Sequence, residues 1–231
     1  MLQVSGLNQY YGGSHILWDV GFTVEKGSCV CIMGRNGMGK TTLLKAIMGL
    51  LPIRCGSIRF QDQEMVSRPP AVRARSGIAY VPQGREIFPE LTVEENLRVG
   101  LAARPGRKQE IPEQVFELFP VLKKMMHRKG GNLSGGQQQQ LAIGRALAIS
   151  PALLILDEPT EGIQPNIVQE ISEILIRLNR EQNLTVLLVE QKLPFARRVA
   201  HSFYLMDKGR TVAGGLIDEL SDNLINQHLK V

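Results

Sequence analysis

The sequence predicts an α/β fold built on a parallel β-sheet with helices on both faces. Three observations lead there. Residues 152–157 (ALLILD), 184–190 (LTVLLVE) and 202–207 (SFYLMD) are short, continuously apolar runs separated by helical patterns; strands of this kind are buried on both faces. Residues 28–33 (SCVCIM) form another such run, followed by a Gly-rich loop and the helical stretch TTLLKAIMGL. The segment between about 92 and 150 is helical in pattern.

Taken in order, residues 2–33 alternate apolar runs with the turn signals Gly12-Gly13 and Lys26-Gly27, and read as several short strands. Residues 56–61 and 77–81 read as strands. Thr92 and Glu95 have capping-box spacing for the helix TVEENLRVGLAA. ARPGRKQE, residues 103–110, reads as a polar exposed loop, and Pro112 as the first residue of the helix PEQVFELF. Ser134 and Gln137 repeat the capping-box spacing before a helix ending near Ser150. After Pro151 strand and helix alternate. PNIVQEISEILIRLNREQ places Val168, Ile171, Leu175 and Leu178 on one face, and KLPFARRVA reads as a shorter helix.

Composition sets the broad class. The 231 residues suffice for a sizeable core, and 43% hydrophobic with 21% charged is ordinary for a globular protein. The net charge of +5 is mildly basic and fits anionic ligands. Cys29, Cys31 and Cys55 are too few and odd in number for a disulfide framework, and point to a reducing compartment. Cys29 and Cys31 would share one strand face as core residues. The N-terminus has no signal-peptide pattern, and the longest apolar runs are too short to span a bilayer.

Residues 34–41, GRNGMGKT, match the phosphate-loop pattern G-x-x-x-x-G-K-[ST] in full. Gly34, Gly37 and Gly39 let the backbone turn its N–H groups toward phosphate oxygens. Arg35, Asn36 and Met38 fill the loop between them, and the helix entered through Thr42 adds its N-terminal dipole. Lys40 brings a compact cation to the β and γ phosphates, and the Thr41 hydroxyl can ligate Mg²⁺. ALLILDE ends a buried strand in Asp157 and Glu158, where ligands of such sheets bind. Asp157 is expected to hold Mg²⁺, and Glu158 to polarise an attacking water.

Residues 133–138, LSGGQQ, resemble the LSGGQ signature of the ABC ATPases, and nearly the whole chain follows that family's order. The resemblance implies a P-loop NTPase (RecA-like) core with a parallel sheet, an N-terminal antiparallel β subdomain and an inserted helical subdomain. It divides a single domain, 1–231, into a core at 1–83 and 151–231 and a helical signature subdomain at 84–150. It implies ATP hydrolysis with Mg²⁺ between two cassettes packed head to tail. Ser134, Gly135, Gly136 and Gln137 would meet the γ-phosphate held by the other cassette's loop.

By the same resemblance Tyr11 stacks on adenine, with Tyr10 as the neighbouring alternative. Gln83 of VPQGR links Mg²⁺ and water to the helical subdomain, and Arg85, Glu86, Ile87 and Phe88 after it help form a groove for a membrane-subunit helix. The loop Glu161-Gly162-Ile163-Gln164 departs from the usual SALD. Gln191 stands where many members carry a His near the γ-phosphate; His201 lies ten positions on, outside that slot.

Gln in this slot resembles an ATPase subunit of branched-chain amino acid importers. VSGLNQYYGGSHIL and YVPQGREIFPELTVEENL resemble the second ATPase subunit of urea importers. The implied partners are integral membrane permease subunits, a second ABC ATPase subunit (a heterodimer, with a homodimer as alternative) and, indirectly, an extracytoplasmic solute-binding protein. The implied location is the cytoplasmic face of the plasma (inner) membrane, peripherally. The expected solute is urea, with branched-chain amino acids as the alternative. The competing class is a soluble ABC ATPase acting on nucleic acid; a single short cassette without a long coiled-coil insertion argues against it, and no nucleic-acid partner is expected.

Overall fold

A computed structural model describes residues 1–103 and 110–229. Most of the loop expected at 103–110 lies outside the described residues.

The chain opens with two long antiparallel strands, β1 (Leu2–Tyr11) and β2 (Ser14–Val24), joined by the Gly12-Gly13 turn. They replace the several short strands read from the sequence. Their alternation survives over ten and eleven residues because bulges, rather than turns, break the register. Then come β3 (Cys29–Met33), α1 (Lys40–Ile47), β4 (Cys55–Phe60), β5 (Gln63–Glu64), α2 (Pro70–Arg75) and β6 (Ile78–Val81). The helical segment follows as α3 (Val93–Leu101), α4 (Glu113–Leu118), α5 (Pro120–Lys124) and α6 (Gly135–Leu147). The chain continues through β7 (Leu153–Asp157), α7 (Pro165–Gln182), β8 (Thr185–Val189), α8 (Leu193–Val199), β9 (Ser202–Asp207), β10 (Arg210–Leu216) and α9 (Asp222–His228).

Both capping boxes form. The Thr92 side chain accepts from the Glu95 N–H and Ser134 from the Gln137 N–H, and each N-cap N–H donates back to the side-chain oxygen of Glu95 or Gln137. Pro112 departs from expectation. Its ψ of 134° puts it before α4 rather than in it. The expected helix also ends early, at Leu118, because Pro120 cannot continue the hydrogen bonding and instead opens α5.

Six strands form one sheet in the order β10-β9-β3-β8-β7-β6, parallel except for the β10 edge. The other four form an antiparallel sheet, β2-β1-β4-β5. The strand side chains alternate between two cores. Val30, Ile32, Leu153, Ile155, Leu187 and Val189 pack with α1 and the antiparallel sheet. Cys29, Cys31, Leu154, Leu156, Val186 and Leu188 pack with α6, α7 and α8. The two cysteines share one buried face, as their spacing predicts. Burial raises both thiols, Cys29 to about 12, so they stay protonated core residues at neutral pH. Covered on both faces, the sheet leaves its strand ends as the places for chemistry.

Candidate active site

The carboxyl ends of β3, β6, β7 and β8 meet in one place. The loop after β3 spans residues 34–39 and enters α1 at Lys40. Two of its glycines are required. A Cβ on Gly34 would run into the Met206 carbonyl, and Gly39 has a left-handed φ of 94°. Lys40, 4% exposed, donates from Nζ to the carbonyls of Gly34 (2.8 Å) and Arg35 (2.9 Å). Burial lowers its affinity for the proton, and the neighbouring Glu158 opposes that shift.

β7 delivers the two acids. Asp157 is buried; its Oδ2 accepts from the Tyr80 hydroxyl at 3.3 Å, and Thr41 hydrogen-bonds to it. Its Oδ1 is buried with no partner among the described residues. Burial raises the Asp157 carboxyl above the ordinary aspartate range, against the pull of its hydroxyl partners. A buried carboxylate oxygen without a donor, beside a threonine hydroxyl, offers hard oxygen donors that suit Mg²⁺. Glu158 follows in a left-handed conformation, φ 47°, with its N–H donating to the Val189 carbonyl at 2.9 Å. That turn lifts its side chain into the cluster.

Three expected residues converge on Glu158. Its Oε1 lies 3.6 Å from Lys40 Nζ and accepts from Gln191 Nε2 at 2.6 Å. Its Oε2 accepts from Gln83 Nε2 at 3.5 Å. Gln191 Nε2 also donates to Asn36 Oδ1 of the phosphate loop at 2.7 Å. His201 sits at the opposite end of β3, where its Nδ1 accepts from the Cys29 N–H at 3.1 Å.

Some of the machinery around the cluster escaped the sequence reading. Glu190, 2% exposed, accepts from the N–H groups of Gln191 (2.8 Å) and Lys192 (3.0 Å) and from the Thr160 hydroxyl (2.7 Å). It braces the loop that carries Gln191; an acid ending an apolar strand was the available signal. Glu161 accepts from Gln83 Nε2 at 2.9 Å. After Gln83, three residues in succession are left-handed: Gly84 (φ 78°), Arg85 (72°) and Glu86 (43°). Arg145, near the end of α6, donates to the carbonyls of Arg85 (3.3 Å) and Glu86 (2.8 Å) and holds that strained turn.

The remaining expected residues stand apart. Ser134, Gly135, Gly136 and Gln137 line a separate cavity of about 470 Å³ with Gly162, Ile163, Gln164 and Ile167; no phosphate-loop residue lines it. Tyr11 is 47% exposed rather than in the core. Tyr10 is engaged in a stack with His15. Ile87 and Phe88 divide: Ile87 packs against the core, while Phe88 is 44% exposed. Phe88 and Glu86 line an apolar groove with Leu50, Pro70 and Val99, whereas Arg85 turns to Gln138 (3.2 Å) on α6.

Comparison with known proteins agrees with this architecture. Residues 17–161 match the family model described as ABC transporter. The chain belongs to the ABC transporter family. It is 44% identical over 213 residues to the high-affinity branched-chain amino acid transport ATP-binding protein BraG of Pseudomonas aeruginosa, covering 92% of this chain and 91% of that protein. It is 39% identical over 226 residues to the probable branched-chain amino acid transport ATP-binding protein LivF of Archaeoglobus fulgidus, covering 96% and 95%. The solved structure of an ATP-binding cassette of an ABC transporter in its ADP conformation superposes with a TM-score of 0.85 at 30% identity, over 98% of this chain and 97% of that one. The chain is therefore an ABC ATPase, an ATP-binding and ATP-hydrolysing transporter subunit, and such importer subunits work with membrane permeases. Among the described residues no helix is long and apolar enough to cross a membrane.

Proposed function

We propose that this ABC ATPase powers import of branched-chain amino acids. The convergence of Lys40, Gln83 and Gln191 on Glu158 carries the catalytic part of the reading. The two full-length relatives carry the solute, and favour the amino acid alternative over the urea expected first. Urea stays as a second reading on the runs VSGLNQYYGGSHIL and YVPQGREIFPELTVEENL.

In this reading the loop 34–42 wraps the phosphates of ATP, and Lys40 leaves the Gly34 and Arg35 carbonyls for the β and γ oxygens. Glu158 accepts a proton from the attacking water. Gln191 spans Glu158 and Asn36, so it orients that water against the phosphate end without ever carrying charge. Gln83 reports the state of Glu158 to the strained turn behind it. Mg²⁺ held by Thr41, Asp157 and Gln83 would neutralise charge on the phosphate oxygens. Tyr11 offers an exposed ring to adenine.

A second cassette completes the site. The capped N-terminus of α6 lines a cavity separate from the phosphate loop, so its donors serve a nucleotide held by another chain. That chain is a related subunit or a second copy. In this reading the groove around Phe88 receives an apolar permease segment at the cytoplasmic face of the membrane.

The test is uptake of leucine and urea in parallel, comparing the intact chain with Lys40→Ala. Loss of leucine uptake alone supports the proposal. Loss of urea uptake alone establishes the second reading, and unchanged uptake of both overturns the two.

A further inference from the structure

A row of five side chains runs from the antiparallel sheet to β10. Arg54 lies over the Tyr10 ring, 5.1 Å from its centroid. Tyr10 stacks on His15 at 4.0 Å and 11°, and His15 on Trp18 at 3.5 Å and 28°. Arg210 closes the row 5.0 Å from the Trp18 centroid. The bulge at Ile16 makes it possible: Gln9 pairs with Leu17 but Tyr10 with His15. The extra residue brings His15 and Trp18, three apart, onto one face. His15 Nε2 is fixed by Asn8 Oδ1 at 2.9 Å.

The row connects the hairpin that carries Tyr11 with the segment bonded to the phosphate loop. At one end the Tyr10–His15 pair is the last but one before the hairpin turn. Tyr11 follows Tyr10 directly and points to the other side of the strand. At the other end the Trp18 backbone N–H donates to the Gly209 carbonyl at 2.8 Å, and the Gly209 N–H to the carbonyl of Met38 in the phosphate loop at 3.2 Å. Trp18 is 38% exposed, so the row is a surface strut rather than part of either core. It ties the hairpin bearing Tyr11 to the segment that touches the phosphate loop.

We propose that the row Arg54–Tyr10–His15–Trp18–Arg210 is a positioning element for the nucleotide base. It sets the distance and tilt of Tyr11 relative to the phosphate loop, so that one nucleotide meets both. The proposal rests on the reading of Tyr11 as the adenine platform. The residues of the row are positioning residues that act through Tyr11.

The decisive comparison is ATP against inorganic tripolyphosphate, which has the phosphates and no base. Equilibrium binding of each to the purified full chain is measured for wild type, His15→Ala, His15→Phe and Tyr11→Ala. His15→Ala should weaken ATP about 3- to 10-fold, the worth of one aromatic pair, and leave tripolyphosphate within about twofold. His15→Phe, which keeps a flat ring in the row, should restore ATP binding. Trp18, the single tryptophan of the chain, reports directly on the stack: its emission should change in His15→Ala and recover in His15→Phe. Should His15→Ala fold poorly, Arg210→Gln, an exposed change at the end of the row, supplies the same comparison. The proposal is overturned if both ligands weaken together, or if ATP binding is unchanged while Tyr11→Ala weakens it. If Tyr11→Ala itself leaves ATP binding unchanged, the platform reading fails and the proposal fails with it.

Discussion

Replacing Glu190 by alanine removes one carboxylate and orphans three donors. The Thr160 hydroxyl and the N–H groups of Gln191 and Lys192 all end on it, at 2.7, 2.8 and 3.0 Å. Hydrogen bonds to a charged group contribute about 1.5–3 kcal/mol each, and water can reach some of what is left. A net loss of about 3–4 kcal/mol follows. With a urea dependence of about 3 kcal/mol per molar, the unfolding midpoint should fall by about 1 M. Glu190→Gln keeps the shape: its carbonyl still accepts from both N–H groups, and its amide can donate to Thr160. It should cost about 1 kcal/mol. The assay is urea unfolding followed by Trp18 fluorescence, alongside ATP hydrolysis, which should fall in Glu190→Ala as Gln191 loses its brace. The opposite possibility is that removing a buried charge relieves more than the lost bonds cost. A Glu190→Gln protein more stable than wild type, or an alanine variant within about 0.3 M of it, would refute the bracing argument.

Four further outcomes are expected. Glu158→Gln should bind ATP normally, lose hydrolysis by at least about 100-fold and accumulate as a closed dimer on size-exclusion chromatography; unchanged turnover would sink its assignment as base. Thr92→Ala and Ser134→Ala remove matching capping boxes and should each cost about 1 kcal/mol on thermal unfolding, but hydrolysis should suffer in Ser134→Ala alone. Asp157→Asn should abolish hydrolysis yet raise the melting temperature of the nucleotide-free chain by about 2–4 °C at neutral pH. The sign follows from burial, which raises the carboxyl above its ordinary value of 3.8. The ionised folded state is penalised at higher pH, so the advantage of Asn should vanish as the pH drops to that value.

What the sequence made legible is local. The phosphate loop, the strand ending in Asp157 and Glu158 and the two capping boxes depend on residues within a few positions of each other. Gln191 was located through the family resemblance, in the slot that follows an apolar strand. The missed features are long-range or conformational. Glu161 meets Gln83 across 78 positions, and no pattern in either segment announces the other. The left-handed run at 84–86 contains two non-glycine residues, which local propensity argues against. It stands because Arg145, sixty positions away, holds it. The edge strand β10 went unread because its burial alternates residue by residue, unlike the apolar runs beside it. Pro112 was misplaced by one position because a proline serves equally before a helix and at its first turn.

The helix α6 joins two places that also meet through Arg85. Ser134 caps its first turn, and Arg145 near its last turn grips the carbonyls beside the Phe88 groove. Thirteen residues make a rigid rod about 20 Å long. A tilt of about 10° at the capped end sweeps the far end through about 3 Å, more than enough to break a hydrogen bond there. The helix therefore has the geometry of a lever arm, with the capped turn as its tip and Arg145 as a gripping heel. Its length sets the stroke: one added turn would lengthen the throw by about a quarter and also carry Arg145 about 5 Å along the axis, away from its grip.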